Sequence, residues 1–459
     1  MNFREAERVI LIGVPDDGRW AEFSQVLDLT GTDPATWEME GMEFLARRVR
    51  FVTTKTLIEV ERSLMPLAQP LVNAAKMHYA HSHINQNSLE QGGERQARNF
   101  VQNLASLAAS EASYLGDHEA MRSLRGRTAL LVGAGASLDD HAELIAAFPG
   151  PVICVNTSLG AVLRYRKPDL CVVLESKCVT EGLSAELTQH TTLACDMTSH
   201  PANHQGTRPA LFIGNSPNIA AYGEGLDMLP IAYGPSCMNA AVSLALAFGA
   251  AKIVLVGQDC AYVDGRMYAK GTPYEATTVV IDEAKSAATV DKPTMGGPIT
   301  YGALRVPAIG GGEVWTNHAM LSMAFWFAEL PAEICARIVN CTSRGVAIES
   351  IEHRPLFEVI KELPAWTPSE RVAEAEPGSR QGAKQLLETL RETARKGLSF
   401  DSDTKLVDWV WRRPILHCWI SPERLRMRRE TDAPTPQKIV KRIADVTRRA
   451  CVEIGVLLG

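Results

Sequence analysis

Small and polar side chains follow successive apolar segments of this sequence, and their chemical types could hold an anionic ligand. The segment Thr128–Val132 is followed by Gly133, Ala134, Gly135, Ala136 and Ser137. Small residues allow close backbone approach, and a serine that caps a helix leaves backbone N–H groups aimed at one point. The turn lacks the third glycine of a dinucleotide fingerprint and the G-K-[ST] of a P-loop. It therefore predicts an anion-holding turn of no standard class, or a tight turn without a ligand.

Further polar residues follow other apolar segments, where they would lie at the carboxyl edge of a parallel sheet. Amides can read a base edge or a sugar hydroxyl, and carboxylates can act as a base or hold a metal–phosphate complex. The candidates are Asn156, Thr157, Glu175, Asn215, Gln258 and Asp259. Two alternatives stay open, namely a helix cap at Asn156 and ion pairs of the carboxylates with Lys177 or Arg266.

Two predicted helix starts add further candidates. Ser236 is a suitable N-cap for an apolar helix, so that helix start could hold a second anion or be capped without a ligand. His318 stands beside the other motifs and could be a general base near neutral pH, with a structural role as the alternative. The run His78, His81 and His83 has no nearby carboxylate or thiolate, so it predicts a solvated helix end and no metal site.

Between residues 125 and 345, short apolar segments alternate with helical ones, which is typical of an α/β fold with a mostly parallel sheet. The predicted strands are Ala129–Val132, Val152–Val155, Leu170–Leu174, Thr192–Cys195, Leu211–Ile213, Lys252–Val256 and Arg337–Asn340. The predicted helices include Leu138–Ala147, Leu159–Arg164, Met238–Phe248 and Asn317–Glu329. The stretch 264–312 is rich in Gly, Pro, Thr and charge, and it predicts a long loop that serves as a lid or is ordered by a partner.

Helical regions are predicted on both sides of this domain. Residues 1–124 predict a mostly helical N-terminal region with a short strand at Val9–Ile12, and 125–360 predict the Rossmann-like domain. The polar segment 361–382 predicts a linker, and 383–459 predict a C-terminal helical region. The arginines of this last region predict either a surface for an acidic partner or, as the favoured reading, a solvated helical face.

The bulk composition excludes several classes of protein. The chain has 459 residues, 46% hydrophobic and 22% charged, which is ordinary for a soluble globular protein. A net charge of −6 argues against a nucleic-acid binder, and ten cysteines without a C-x-x-C pair favour reduced thiols. The N-terminus does not read as a secretory signal, and Met238–Gly257 is interrupted by Gly249 and Lys252, so no membrane span is expected. We expect a cytoplasmic protein.

The order of the motifs resembles the motility accessory factor (Maf) family and the related 6-hydroxymethylpterin diphosphokinase MptE-like domain. The resemblance covers residues 125–360. The matching segments are GAGASL (133–138), VN and KPD (155–169), VVLES (172–176), YGPSCMNAAVSLALAFGAAKIVLVGQDCAY (233–262), VWTNHAM (314–320) and VNCTSRGVAIES (339–350).

The resemblance implies a Rossmann-like catalytic domain similar to bacterial sialyltransferases. It implies transfer of a nonulosonic acid, pseudaminic or legionaminic, from a CMP-activated donor to Ser or Thr of flagellin or a related surface protein. It places Gly133, Gly135, Ser137, Asn156 and Ser236 near the nucleotide, and Glu175, Gln258 and Asp259 near the sugar or a metal. Glu175, Asp259 and His318 remain open as the base for the acceptor hydroxyl, and the donor is a substrate, so no cofactor is required.

Two other functions remain open at this stage. A pterin-directed diphosphokinase would use ATP and magnesium, with Glu175 and Asp259 holding the metal. A non-catalytic protein that binds a nucleotide or a protein client is the third reading.

Overall fold

The computed structural model describes residues 6–14, 25–37, 40–41, 55–117, 121, 123–179, 182–204, 206–214, 226, 228, 230–232, 234–293, 296–364, 378–410, 412, 416, 419–420, 422–423, 427 and 435–458. The candidate Asn215 lies outside these residues, and so do the side chains of His78, His81 and His83. The chain divides into two compact units, residues 1–88 and 89–459.

The first unit contains a three-stranded parallel sheet with strands β1 (Ala6–Ile12), β2 (Gln25–Asp28) and β3 (Lys55–Val60), in the order β2-β1-β3. The predicted strand Val9–Ile12 lies within β1. The other two strands interrupt a region predicted as mostly helical, because segments of four and six residues are too short to show a clear strand pattern in the sequence. The long helix α1 (Met65–Ala109) follows. The core of this unit consists of Ile10, Ile12, Leu29, Trp37, Ala68 and Leu71.

The second unit is built on a ten-stranded sheet in which the strand pairs are parallel. Its first strands are β4 (Ser113–Tyr114), β5 (Thr128–Val132), β6 (Val152–Val155), β7 (Leu170–Val173), β8 (Thr192–Asp196), β9 (Ala210–Gly214), β10 (Pro230–Ile231) and β11 (Lys252–Val256). The predicted α/β fold class is confirmed. Its central strands are almost fully buried, which explains their continuous apolar sequences.

The segment 264–312 was predicted as a loop, and that prediction was wrong. It forms an antiparallel sheet of β12 (Thr278–Asp282), β13 (Ala287–Asp291) and β14 (Ile299–Gly302), followed by a hairpin of β15 (Leu304–Pro307) and β16 (Glu313–Thr316). Buried residues alternate with more exposed ones along β12 and β13. This period-two pattern is short and lies among Gly, Pro and charged residues, which concealed it in the sequence.

The strands β17 (Ile338–Asn340) and β18 (Glu352–His353) complete the large sheet. Helices connect and follow its strands. They are α2 (Ala142–Ala147), α3 (Leu159–Leu163), α4 (Ala185–Thr188), α5 (Cys237–Ala247), α6 (His318–Phe325), α7 (Ala332–Cys335), α8 (Leu356–Glu362), α9 (Gly378–Leu398), α10 (Asp403–Val410) and α11 (Pro436–Leu458). Of the helices in the described ranges, none is long and apolar enough to cross a membrane.

The strand order is β10-β9-β8-β7-β6-β5-β11-β17-β18, with β4 also beside β9. The chain therefore runs outward from β5 to β10 and returns to place β11 on the other side of β5. Crevices form at such a reversal, outside the carboxyl ends of the strands. The two residues that follow these strands, Gly133 after β5 and Gly257 after β11, consequently mark the expected position of a site.

Candidate functional site

The turn after β5 packs directly against the turn after β11. The N–H of Gly133 donates to the carbonyl of Val256 at 2.8 Å, and the N–H of Gly135 donates to that of Gly257 at 2.9 Å. A Cβ on Gly133 would lie 2.4 Å from the Gly257 oxygen, so glycine is required for this approach. The sequence predicted either free N–H donors for an anion or a tight turn without a ligand, and in the structure these two N–H groups join the two turns.

Asp259 anchors the same turn from the β11 side. The backbone N–H of Ser137 donates to Asp259 Oδ2 at 2.9 Å, and the Ser137 hydroxyl donates to Oδ1. Asp259 is 3% exposed, and burial raises its pKa to about 6 against the opposing effects of Ser137 and Arg344. A Cβ on Gly135 would lie 2.4 Å from the Asp259 Cγ, so this carboxylate fills the space that the glycine leaves.

Ionic contacts close the outer side of the turn. Asp139 accepts from Arg266 Nη1 at 2.7 Å and from the backbone N–H of Lys270 at 2.9 Å. Arg266 therefore pairs with Asp139 and not with Asp259 or Glu175, as the sequence had allowed. The guanidinium of Arg344 bridges Asp140 and Asp264. The turns after β5 and β11 are thus joined to each other by internal hydrogen bonds and to the following segments by ion pairs.

A second group of polar residues lies at the ends of β6 and β7, where α5 begins. Asn156 Oδ1 accepts the thiol of Cys237 at 3.6 Å. Glu175 Oε1 accepts the backbone N–H of Lys177 at 3.0 Å, and its carboxylate also raises the pKa of the Cys237 thiol, which burial chiefly lifts to about 12. Asn156, Thr157 and Glu175 are partly exposed. These strand ends therefore present an amide, a hydroxyl and a carboxylate together.

Ser236 caps α5, as its sequence position predicted. Its hydroxyl accepts the backbone N–H of Asn239 at 3.2 Å and donates to Asn239 Oδ1 at 2.6 Å. The hydroxyl is thus used in the cap, while the start of α5 stands beside Asn156 through Cys237.

The remaining candidates lie around the segment after β11. Gln258 is buried, and its N–H donates to Thr342 Oγ1 at 3.1 Å. The hydroxyl of Tyr262 accepts from Asn317 Nδ2 at 2.6 Å, and Asn317 also caps α6, whose first residue is the exposed His318. Sequence reasoning missed the Tyr262–Asn317 pair, although both residues stand in motifs that it had noted.

Within the described ranges, no group of three or more His, Cys, Asp or Glu side chains is placed to hold a metal ion. Both carboxylate oxygens of Asp259 accept from Ser137. This occupied carboxylate does not fit a magnesium ion shared with Glu175.

Comparisons with known proteins identify one matching family model and a solved structure of similar fold. Residues 98–265 match the family model described as 6-hydroxymethylpterin diphosphokinase MptE-like. The fold is similar to that of the Maf glycosyltransferase from Magnetospirillum magneticum AMB-1, with a TM-score of 0.52 and 15% identity over 95% of this chain and 69% of that one. No curated protein matches the chain. The predicted resemblance is therefore confirmed: the chain is similar to the MptE-like family over residues 98–265, and it shares the fold of a Maf glycosyltransferase.

Proposed function

We propose that this chain is a cytoplasmic glycosyltransferase that moves a nonulosonic sugar from a CMP-activated donor to a Ser or Thr hydroxyl of flagellin or a related surface protein. The observation that carries the proposal is the meeting of Asn156, Glu175 and the start of α5 at one edge of the sheet. The shared fold with a Maf glycosyltransferase supports it.

These residues suit the transfer chemistry. The bond between the sugar and the CMP phosphate breaks, the phosphate keeps the electron pair, and the acceptor oxygen forms the new bond as it loses its proton. The positive end of α5 would stabilise the departing phosphate, and the amide of Asn156 would hydrogen-bond to the base or a sugar hydroxyl. The carboxylate of Glu175 would accept the proton of the acceptor hydroxyl.

Glu175 is the better of the carboxylate candidates for the base. Its Oε1 accepts from Lys177, and Oε2 accepts from no residue in the described part of the chain. Asp259 has both oxygens committed to Ser137. His318 is exposed at the start of α6 and is the second candidate. In this proposal Gly133, Gly135, Ser137 and Gln258 form the wall behind the donor, and Thr157 and Ser236 border it.

The description of the matching family model favours a second candidate, a diphosphoryl transfer from ATP with magnesium. That reading assigned the metal to Glu175 and Asp259. The hydrogen bonds from Ser137 to both oxygens of Asp259 argue against this ligand pair.

The test compares ligand binding with transfer in matched variants. We expect CMP to raise the melting temperature of the purified chain, because a ligand that binds only the folded state stabilises it. Glu175→Gln should keep this shift and lower kcat for transfer from a CMP-nonulosonate to flagellin by about 100-fold or more. Asp259→Asn is the control and should lower kcat by much less. A shift with ATP that requires magnesium, and none with CMP, would replace this proposal with diphosphoryl transfer.

A further inference from the structure

Three asparagine side chains are buried beneath the loops that follow β7 and β8. Asn99 and Asn103 are 2% and 1% exposed on α1, and Asn203 is 0% exposed in a short turn after β8. Burying an amide is costly unless its hydrogen bonds are made within the protein. Each of these three amides makes two donor bonds to backbone carbonyls.

Asn203 binds the backbone of the loop that carries Glu175. Its Nδ2 donates to the carbonyls of Glu175 at 2.9 Å and of Lys177 at 2.8 Å. Its Oδ1 accepts the N–H of Val179 at 2.8 Å. The side chain of Asn203 therefore bonds to alternate residues of the five-residue segment 175–179, as a neighbouring strand would. The backbone N–H of His200 adds a fourth hydrogen bond to this segment, to the Glu175 carbonyl at 3.0 Å.

The two asparagines on α1, Asn99 and Asn103, differ in the loops that they bind. Asn99 Nδ2 donates to the carbonyls of Ser176 and Thr198, both at 2.9 Å, so it joins the loop after β7 to the loop after β8. Asn103 Nδ2 donates to Met197 at 3.0 Å and Ser199 at 2.8 Å, both in the loop after β8.

We propose that Asn203 is a positioning residue that holds the carboxylate of Glu175 in place, with Asn99 as a second support. The link is the backbone N–H of Lys177, which donates to Glu175 Oε1 at 3.0 Å. Asn203 fixes the carbonyls of the two flanking peptide groups, those of Glu175 and Lys177. Asn99 fixes the carbonyl of Ser176, which lies in the same planar peptide group as this N–H. Displacing a reacting group by about 1 Å can cost roughly 100-fold in rate.

This inference rests on the proposed function for the role of Glu175, but the ordering of the loop can be tested without it. Asn103 is the matched control, because it is similarly buried and also donates two hydrogen bonds to backbone carbonyls, those of Met197 and Ser199. Its Oδ1 also has one partner, His204 Nε2 at 3.2 Å. It makes no hydrogen bond to residues 174–179 of the loop after β7, so a purely structural role would give Asn203→Ala and Asn103→Ala the same consequences.

The experiment compares Asn203→Ala, Asn99→Ala and Asn103→Ala in the full chain. We expect similar losses of melting temperature for Asn203→Ala and Asn103→Ala. Backbone amide hydrogen exchange at residues 176–179 should become faster in Asn203→Ala and in Asn99→Ala, and stay at the wild-type rate in Asn103→Ala. For transfer from a CMP-nonulosonate to flagellin, kcat should fall about 10- to 100-fold in Asn203→Ala with little change in the donor KM.

Two results would overturn the inference. One is equal exchange at residues 176–179 in Asn203→Ala and Asn103→Ala, and the other is an equal kcat in these two variants. If Asn203→Ala does not fold, Asn99→Ala carries the same comparison through its bond to Ser176. A wild-type chain that transfers no sugar would remove the proposed function, while the exchange data would still decide whether Asn203 orders the loop.

Discussion

Two regions at the carboxyl edge of the sheet both follow buried strands, but they use their polar groups differently. In the turn after β5, the N–H groups of Gly133, Gly135 and Ser137 all donate within the protein. At the ends of β6 and β7, Asn156 and Glu175 remain partly exposed. A strand followed by small residues and a serine therefore does not by itself indicate a ligand. The polar groups left available are the reason for which we propose the second region as the reactive one.

The position of each region in the sheet explains this difference. The turn after β5 faces a neighbouring strand, β11, whose own turn leaves at the same level. Two turns can share this space only if neither carries a side chain at the contact, and Gly133 and Gly257 meet that requirement. The ends of β6 and β7 face the start of α5 instead, where side chains have room.

The largest expected effect tests the packing role of the first region. In Gly133→Ala the new Cβ would lie 2.4 Å from the Gly257 carbonyl oxygen, which belongs to the backbone of a buried strand end. We expect a loss of about 3 kcal/mol or more in the free energy of unfolding, measured by urea denaturation. Gly302→Ala is the control, because nothing lies within 4 Å of its new Cβ. Equal stabilities of these two variants would contradict the packing role.

The next effect concerns the buried carboxylate of the first region. Burial raises the pKa of Asp259 from 3.8 to about 6, so the folded state holds this proton more tightly than the unfolded state. This residue's contribution to stability is therefore greatest below about pH 4 and falls as the pH rises through about 6. The shift of about two pKa units corresponds to about 3 kcal/mol.

Asp259→Asn removes this titration and keeps an oxygen that can accept from Ser137. The free energy of unfolding of the variant, minus that of the wild type, should therefore increase between pH 4 and pH 6 and level off above. Denaturation curves at several pH values measure it. A difference that does not change with pH would show that the carboxylate is not perturbed as described.

The smallest expected effect concerns Arg344, which lies on the outer side of the turn after β5. Arg344 is 37% exposed in its ion pairs with Asp140 and Asp264. Arg344→Gln should therefore cost at most about 1 kcal/mol, and less at high salt. Because Arg344 also lowers the pKa of Asp259, the variant should move the midpoint of that titration upward. An unchanged titration midpoint would show that Arg344 does not influence the pKa of Asp259.

The sequence allowed much of the fold to be predicted, because buried strands are continuous apolar segments with polar residues after them. The strands β6 and β11 begin and end at the predicted residues. The small sheet at β12 to β14 was missed because its alternation is short. The chemical types of the candidate site residues were also evident from the sequence, but their hydrogen-bond partners could not be predicted. Ser137 and Asp259 are 122 positions apart, and Asn203 resembles an ordinary turn residue in the sequence.

The central claim is that the nucleotide phosphate binds at the second region and not in the turn after β5. A crystal structure of the chain with CMP measures this directly. We predict a phosphate within hydrogen-bond distance of the first N–H groups of α5, with the base or a sugar hydroxyl beside Asn156 and the Ser137–Asp259 hydrogen bonds intact. A phosphate bound by the N–H groups of Gly133, Gly135 and Ser137, with those bonds broken, would contradict the account.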